Sequence, residues 1–144
     1  IELVRTLHGV RYYNDSIASS PSRTIAGLRS FPGKVILIAG GYDKHIPFDV
    51  LGPEVTAHVK LLVLCGATAG KIRAAVEAAP DYRPGHPEII EVTPFRAAVE
   101  AARDRAIPGD VVTLSPACAA FDQFKNFAER GKVFKEIVRS WPEE

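Results

Sequence analysis

Short apolar segments alternate along this chain with stretches whose apolar residues recur at helical spacing. In residues 34–39, the five residues after Lys34 form a continuous apolar run rich in β-branched side chains, which is typical of a strand buried on both faces of a parallel sheet. Residues 2–7 and 10–13 flank His8-Gly9 and predict a β-hairpin with a tight turn. The other predicted strands are residues 59–65, 88–92 and 110–114.

The intervening stretches are predicted to be helices. Ser20-Pro21 offers an N-cap followed by proline at the first helical position, and Phe31-Pro32-Gly33 ends that helix. The remaining predicted helices are residues 48–51, 54–58, 68–79, 94–106 and 131–141. Strands that alternate with helices predict an α/β fold, a doubly wound, mostly parallel, Rossmann-like sheet with helices on both faces and an N-terminal β-hairpin.

Composition narrows the class of protein. With 144 residues, 47% of them hydrophobic and 24% charged, the chain has the size and composition of one globular domain. Its net charge of +1 gives no reason to expect a nucleic acid or a membrane as a partner, and no apolar run approaches the ~20 residues that span a bilayer. Cys65 and Cys118 lack metal-ligand spacing, so we expect free buried thiols in the reducing cytoplasm. The chain has no methionine and begins at Ile1, so we expect it to be a piece of a longer protein.

Candidate chemistry lies in three loops that follow predicted strands. Right-handed crossovers would bring these loops to the carboxyl edge of the sheet, where ligands bind in such folds. The first loop carries Asn14, Asp15 and several hydroxyl groups where a helix starts. This composition suits a metal–phosphate group or a carboxylate ligand, and equally a polar turn with an N-cap. The first, second and third loops are residues 14–20, 40–44 and 115–127.

The second and third loops offer a cation and backbone donors. In the second, a Gly-Gly pair permits close approach of the backbone to a ligand, and Lys44 presents a point charge to an anion or to solvent. The third combines small residues with Phe121, Phe124 and Phe127, which would form a wall of backbone N–H groups. The alternative for this loop is that at least two of these phenylalanines are core residues. Residues 66–72 lack the spacing of a phosphate-binding P-loop.

Three stretches, in this order, resemble the C-terminal domain of the Mur ligase family. The last and longest points to the branch of the family that adds D-glutamate to UDP-N-acetylmuramoyl-L-alanine in peptidoglycan synthesis. The resemblance covers residues 1–144 as the third domain of a three-domain enzyme, with the UDP-binding domain and the central ATPase domain absent from this chain. The stretches are residues 9–16 (GVRYYNDS), 39–44 (AGGYDK) and 114–131 (LSPACAAFDQFKNFAERG).

The resemblance implies a reaction and its cofactors. ATP, with Mg²⁺, would phosphorylate the carboxylate of the substrate, and the amine of D-glutamate would attack the acyl phosphate to give an amide, ADP and phosphate. ATP and Mg²⁺ would be held mainly by the absent central domain, in agreement with the missing P-loop. This domain alone would bind D-glutamate and close over the nucleotide without turnover.

Residue roles follow from the same resemblance. Lys44 and Ser19 would lie near the carboxylates of D-glutamate, with Lys44 an electrostatic clamp and not a base. Phe121 and Phe127 would line the far side, largely through backbone amides. The family form has serine where this chain has Ala120, so a hydroxyl is lost there and a backbone N–H is kept.

The nucleotide side of the site departs from the family form. Asn14 and Asp15 would lie toward the nucleotide and its metal, but no residue is assigned as a metal ligand or as a catalytic group. Ile17 stands where the family form has lysine, so the charged contact to phosphate is vacant or supplied from elsewhere. Two alternatives stay open: another Mur or folylpolyglutamate-type ligase that adds a different amino acid, and a stand-alone α/β module that binds a small anion.

Overall fold

The computed structural model describes residues 1–121 and 123–143, so that Asp122, in the third loop, and Glu144 lie outside the described residues. The strands are β1 (Glu2–Leu7), β2 (Val10–Asn14), β3 (Val35–Ala39), β4 (Val59–Leu64), β5 (Glu88–Glu91) and β6 (Val111–Leu114). The helices are α1 (Pro21–Arg29), α2 (Leu51–His58), α3 (Ala69–Glu77), α4 (Phe95–Arg105) and α5 (Phe127–Ser140). Within these residues the strands form one six-stranded sheet in the order β1-β2-β6-β3-β4-β5. Only the β1–β2 pairing in this sheet is antiparallel, which confirms the predicted hairpin and mostly parallel sheet.

Helices cover both faces of the sheet, as a doubly wound fold requires. Strand β3 shows why both faces need a cover, because it is apolar throughout and its successive side chains point to opposite faces of the sheet. Ile36 and Ile38 pack in the core beneath α4 and α5, whereas Val35, Leu37 and Ala39 pack in the core beneath α1, α2 and α3. All five residues are buried, so β3 lies in the centre of the domain and its carboxyl end opens at the middle of one sheet edge.

Three predicted helices differ from the observed ones. Helix α5 begins at Phe127 and not at residue 131, because the Asn126 side chain accepts a hydrogen bond from the backbone N–H of Glu129 at 2.9 Å and caps the helix there. Of the helix predicted at 48–51 only Leu51 is helical, as the first residue of α2, which also includes the helix predicted at 54–58. Pro53 lies in the first turn of α2, where proline is tolerated. None of the helices in the described part of the chain is long and apolar enough to cross a membrane.

Candidate functional site

The three candidate loops lie side by side because the strands that precede them are neighbours. β6 pairs in parallel with β2 on one side and with β3 on the other, so the carboxyl ends of all three strands reach the same edge. Backbone hydrogen bonds join the loops there. The N–H of Ala117 donates to the carbonyl of Ala18 at 3.0 Å, and the N–H of Tyr42 donates to the carbonyl of Ala119 at 2.9 Å. The predicted convergence of the loops is therefore confirmed.

A cleft of about 390 Å³ opens between the first and second loops and the start of α5. We call it the Lys44 cleft. It brings together three of the residues proposed from the sequence, Ser19, Lys44 and Phe127. It also contains Arg23, a second exposed cation on the first turn of α1 that the sequence interpretation did not single out. The complete lining is Ile17, Ser19, Ser20, Arg23, Lys44 and Phe127.

The second loop presents Lys44 through contacts made by its neighbours. Asp43 accepts a hydrogen bond from the backbone N–H of His45 at 2.7 Å and forms a short ion pair with Lys71 at the start of α3. The hydrogen bond from Lys71 lowers the pKa of the Asp43 carboxyl below its usual range. Asp43 thus pairs with Lys71 and not with its neighbour Lys44. The ammonium of Lys44 has no ion-pair partner within residues 1–121 and 123–143.

The glycine pair at the end of β3 serves backbone packing. Gly40 has φ 108°, and a Cβ added to it would lie 2.0 Å from the carbonyl oxygen of Cys65. The N–H of Gly41 donates to the Thr68 hydroxyl at 3.0 Å, and that hydroxyl lies 3.2 Å from the Cys118 sulfur. Both cysteines are buried, as predicted. The start of α3, which superficially resembles a P-loop, therefore supports the second loop through Thr68.

The first loop forms an ordered polar turn. The side-chain carbonyl of Asn14 accepts from the N–H of Ser16 at 3.0 Å. Asp15 is only 6% exposed, and its carboxylate accepts from the Ser115 hydroxyl at 2.8 Å. Burial raises the pKa of the Asp15 carboxyl above its usual value, against the opposing effect of the Ser115 hydrogen bond.

Asp15 faces a cleft of its own, beside the Lys44 cleft. This second cleft, of about 250 Å³, is lined by Asp15, Ile17 and Arg23 among others, and we call it the Asp15 cleft. Ile17 and Arg23 line both clefts and so lie between them. Among the described residues, no three His, Cys, Asp or Glu side chains come together as a metal site.

The aromatic residues of the third loop are mostly exposed, and the expectation that at least two of them are core residues is wrong. Phe124 alone of the three packs on the core, with its ring 5.1 Å from that of Phe95. Phe121 is 62% exposed and its ring contacts Tyr42 edge to face, while Phe127 is 44% exposed because it opens α5 at the rim of the Lys44 cleft.

Two further residues of the third loop lie outside the Lys44 cleft. Ala120 is buried, and its carbonyl accepts from the N–H groups of Gln123 and Phe124 at 3.1 and 2.9 Å. Phe121 likewise does not line the Lys44 cleft. A small gap lined by Ser19, Lys44 and Tyr42 among others adjoins that cleft, and through Tyr42 it leads toward the Phe121 ring.

A buried arginine, missed in the sequence, joins the first and third loops. Arg130 of α5 is 3% exposed, and its Nη2 donates to the carbonyl of Ser16 at 2.6 Å while its Nη1 donates to the carbonyl of Cys118 at 2.8 Å. The spacing of buried residues along α5 indicates that Arg130 is buried as well. Arg130 precedes Phe134 and Ile137 at helical spacing, so it occupies the core-facing side of α5.

Comparison with known proteins agrees with this architecture. The family model for the Mur ligase, glutamate ligase domain, matches residues 1–118. The chain is 57% identical over 137 residues to the UDP-N-acetylmuramoylalanine–D-glutamate ligase of Clostridium kluyveri and 58% identical over 142 residues to the ligase of the same name from Acetivibrio thermocellus. These alignments cover 95% and 97% of this chain, which spans 30% of the length of either relative.

A solved structure supports the fold. A domain from a Haemophilus ducreyi protein, described as a UDP-N-acetylmuramate:L-alanyl-gamma-D-glutamyl-medo-diaminopimelate ligase, superposes with a TM-score of 0.59 at 14% identity. The superposition covers 94% of this chain and 98% of that one. With the family model spanning most of the chain and relatives above half identity along nearly all of it, the chain belongs to the glutamate ligase domain family of the Mur ligases.

Proposed function

We propose that this chain is the third domain of an ATP-dependent ligase that adds D-glutamate to UDP-N-acetylmuramoyl-L-alanine in peptidoglycan synthesis. The observation that carries the proposal is the 57–58% identity, along almost all of this chain, to two relatives named for that ligation. The rest of the ligase would hold the UDP-sugar, ATP and Mg²⁺. We place the ligase in the cytoplasm, a reducing compartment that suits the two buried cysteines.

The task of this domain is to bind D-glutamate in the Lys44 cleft. A dianionic amino acid needs cationic partners, and this cleft contains the exposed side chains of Lys44 and Arg23. Because no described carboxylate pairs with Lys44, its charge is available to the ligand. The Ser19 hydroxyl adds a hydrogen-bonding group, and the clamp leaves the substrate amine free to attack.

The third loop would form the far wall of the D-glutamate site. Phe127 lines the Lys44 cleft, and the Phe121 ring contacts Tyr42, which lines the adjoining gap; we assign the backbones of both phenylalanines to the far side of the ligand. Ala120 contributes backbone only, since its side chain is buried. The exposed apolar side chains of Tyr42 and Phe121 would be covered when the rest of the ligase closes over the site.

The nucleotide would approach on the side of the Asp15 cleft. We assign Asn14 and Asp15 to the nucleotide side: Asp15 lines this cleft, and Asn14 precedes it at the end of β2, on the same sheet edge as the proposed D-glutamate site. Ile17 brings no charge to the boundary between the two clefts. We assign the cation of that boundary to Arg23, because it lines both clefts beside Ile17.

The proposal is tested with the intact ligase that contains this domain. Product formation with D-glutamate should exceed that with L-glutamate, D-aspartate or diaminopimelate. A preference for another amino acid would identify a different ligase of the family, and absence of ATP-dependent product with any of them would refute the ligase assignment.

Lys44→Ala tests the clamp itself. Loss of a charged partner for a carboxylate should raise the KM for D-glutamate ~10-fold or more, with the KM for ATP little changed. Lys34→Ala is the matched control, because Lys34 is an exposed lysine just before β3, at the opposite end of the strand from Lys44. If Lys44→Ala leaves the KM for D-glutamate at the value of Lys34→Ala, the clamp role is wrong.

A further inference from the structure

We propose that Arg130 is a positioning residue that holds the first and third loops at one fixed separation and thereby sets the affinity of the Lys44 cleft for its amino acid. The inference rests on the proposed function for the identity of that ligand. Arg130 does not line the Lys44 cleft, so it would act through the residues that it binds and not by contact with substrate.

One guanidinium contacts both loops at once. On the first loop, Nη2 donates to the Ser16 carbonyl at 2.6 Å and Nε donates to the Ser16 hydroxyl at 2.9 Å. On the third loop, Nη1 donates to the Cys118 carbonyl at 2.8 Å. The second loop approaches the same group, because a Cβ added to Gly41 would lie 3.6 Å from Nη1. Arg130 therefore lies where all three loops meet.

These bonds continue to the walls of the Lys44 cleft. The Ser16 hydroxyl donates in turn to the carbonyl of Phe127 at 2.7 Å, and Phe127 lines the cleft. Nη2 of Arg130 also reaches the hydroxyl of Ser19, a second lining residue, at 3.5 Å. A change at Arg130 would therefore move two walls of the cleft relative to each other.

Arginine is the side chain that this junction requires. Its planar fork presents donors in a fixed geometry, so one residue can satisfy carbonyls on two segments simultaneously. Lysine keeps the charge and most of the stem but concentrates its donors on a single nitrogen, which cannot reproduce the spread from Ser16 to Cys118. At least one buried carbonyl would lose its partner, and the two loops would separate.

The kinetic test is Arg130→Lys in the intact ligase. We expect the KM for D-glutamate to rise ~10-fold or more, because misplaced walls weaken binding, while the KM for ATP changes less than about twofold. Arg5→Lys is the matched control, since Nη1 of Arg5 donates to the carbonyls of Val138 and Trp141 at 2.8 and 2.6 Å, at the other end of α5. A merely structural role would lower the active fraction, and hence the apparent kcat, in both variants without raising the KM, and that result would overturn the proposal.

Chemical rescue gives a second readout. In Arg130→Ala, added methylguanidinium should lower the KM for D-glutamate back toward the wild-type value, whereas methylammonium should not. Equal rescue by both ions would show that charge alone matters and would overturn the positioning role. If the Arg130→Ala variant does not fold, the KM of Arg130→Lys for D-glutamate still distinguishes geometry from charge, because lysine keeps the charge and loses the planar fork.

Amide hydrogen exchange tests the positioning role of Arg130 without any ligand, and so independently of the proposed function. In the 144-residue chain, Arg130→Lys should accelerate exchange at the N–H of Ala117, which bonds to the first loop, and Arg5→Lys should not. Unchanged exchange at Ala117 in Arg130→Lys would refute the positioning role. If instead the wild-type ligase fails to use D-glutamate while Ala117 still responds, the proposed substrate is wrong and the loop junction stands.

Discussion

Gly40 offers a direct test of how the second loop leaves the sheet. It follows β3, adopts φ 108°, and lies so close to the strand beside it that an added Cβ would be 2.0 Å from the carbonyl oxygen of Cys65. That carbonyl cannot move easily, because the N–H of Cys65 donates to the carbonyl of Ala39 at 3.0 Å in the centre of the sheet. Gly40→Ala must therefore displace main chain at the start of the candidate site.

Two costs combine in Gly40→Ala. A positive φ costs an L-residue about 1–2 kcal/mol, and an added methyl group in a packed region costs about 1–3 kcal/mol. The expected loss in the free energy of unfolding is about 2–5 kcal/mol, which is a large part of the ~5–15 kcal/mol by which a domain is stable. We expect the upper part of this range, because the obstacle is backbone and not a flexible side chain.

Substitutions at two other glycines separate the conformational cost of a positive φ from the steric cost of the added methyl group. Gly109 has φ 96° but no described heavy atom within 4 Å of an added Cβ, so Gly109→Ala should show only the conformational cost of about 1–2 kcal/mol. Gly70, in α3, has open space and no positive φ, so Gly70→Ala should leave stability unchanged or raise it by up to ~1 kcal/mol. Urea unfolding, followed by fluorescence of the single tryptophan, Trp141, measures all three variants. If the Gly40→Ala variant is no less stable than the Gly109→Ala variant, the added Cβ at position 40 does not meet the obstacle inferred from the structure.

Two further predictions concern the first loop and α5. Because burial raises the pKa of Asp15, the folded state binds more protons than the unfolded state between the ordinary and the raised pKa, so the contribution of Asp15 to stability is full at acid pH and falls as pH rises through that window. Asp15→Asn should therefore raise the Tm of the chain at neutral pH, with a gain that shrinks on acidification; a pH-independent gain would contradict the cause given. Asn126→Ala removes the bond to the N–H of Glu129 and should cost ~1 kcal/mol in urea unfolding, whereas Asn126→Asp should retain most of it.

The sheet and the convergence of the loops could be predicted because they follow from local rules. Apolar runs such as residues 35–39 indicate strands buried on both faces, and parallel strands with right-handed crossovers share one edge for their following loops. The neighbours in the sheet could not be predicted in the same way. β6 lies between β2 and β3 although it comes last of all the strands in the chain, and such long-range pairing leaves no mark in the residues of a single segment.

The missed parts of the site depend on contacts between distant residues. A charged side chain is ordinarily a surface residue, so Arg130 was overlooked although it shares the apolar face of α5. The ion pair of Asp43 with Lys71 and the bond of Ser115 to Asp15 likewise join segments far apart in the chain. Sequence spacing identified Lys44 as a candidate, but only the folded arrangement shows that its neighbour Asp43 is occupied elsewhere.

The place of β6 in the sheet has a consequence for biosynthesis. During synthesis of this domain, the β1–β2 hairpin is made before the other four strands but then has no further strand beside it, since both β2 and β3 pair with β6. The central pairing waits for residues 111–114, and α5 follows later still. The Lys44 cleft is therefore completed among the last parts of the domain to form, so that a nascent chain interrupted before α5 would contain Lys44 and Ser19 but not Phe127, which completes the lining of that cleft.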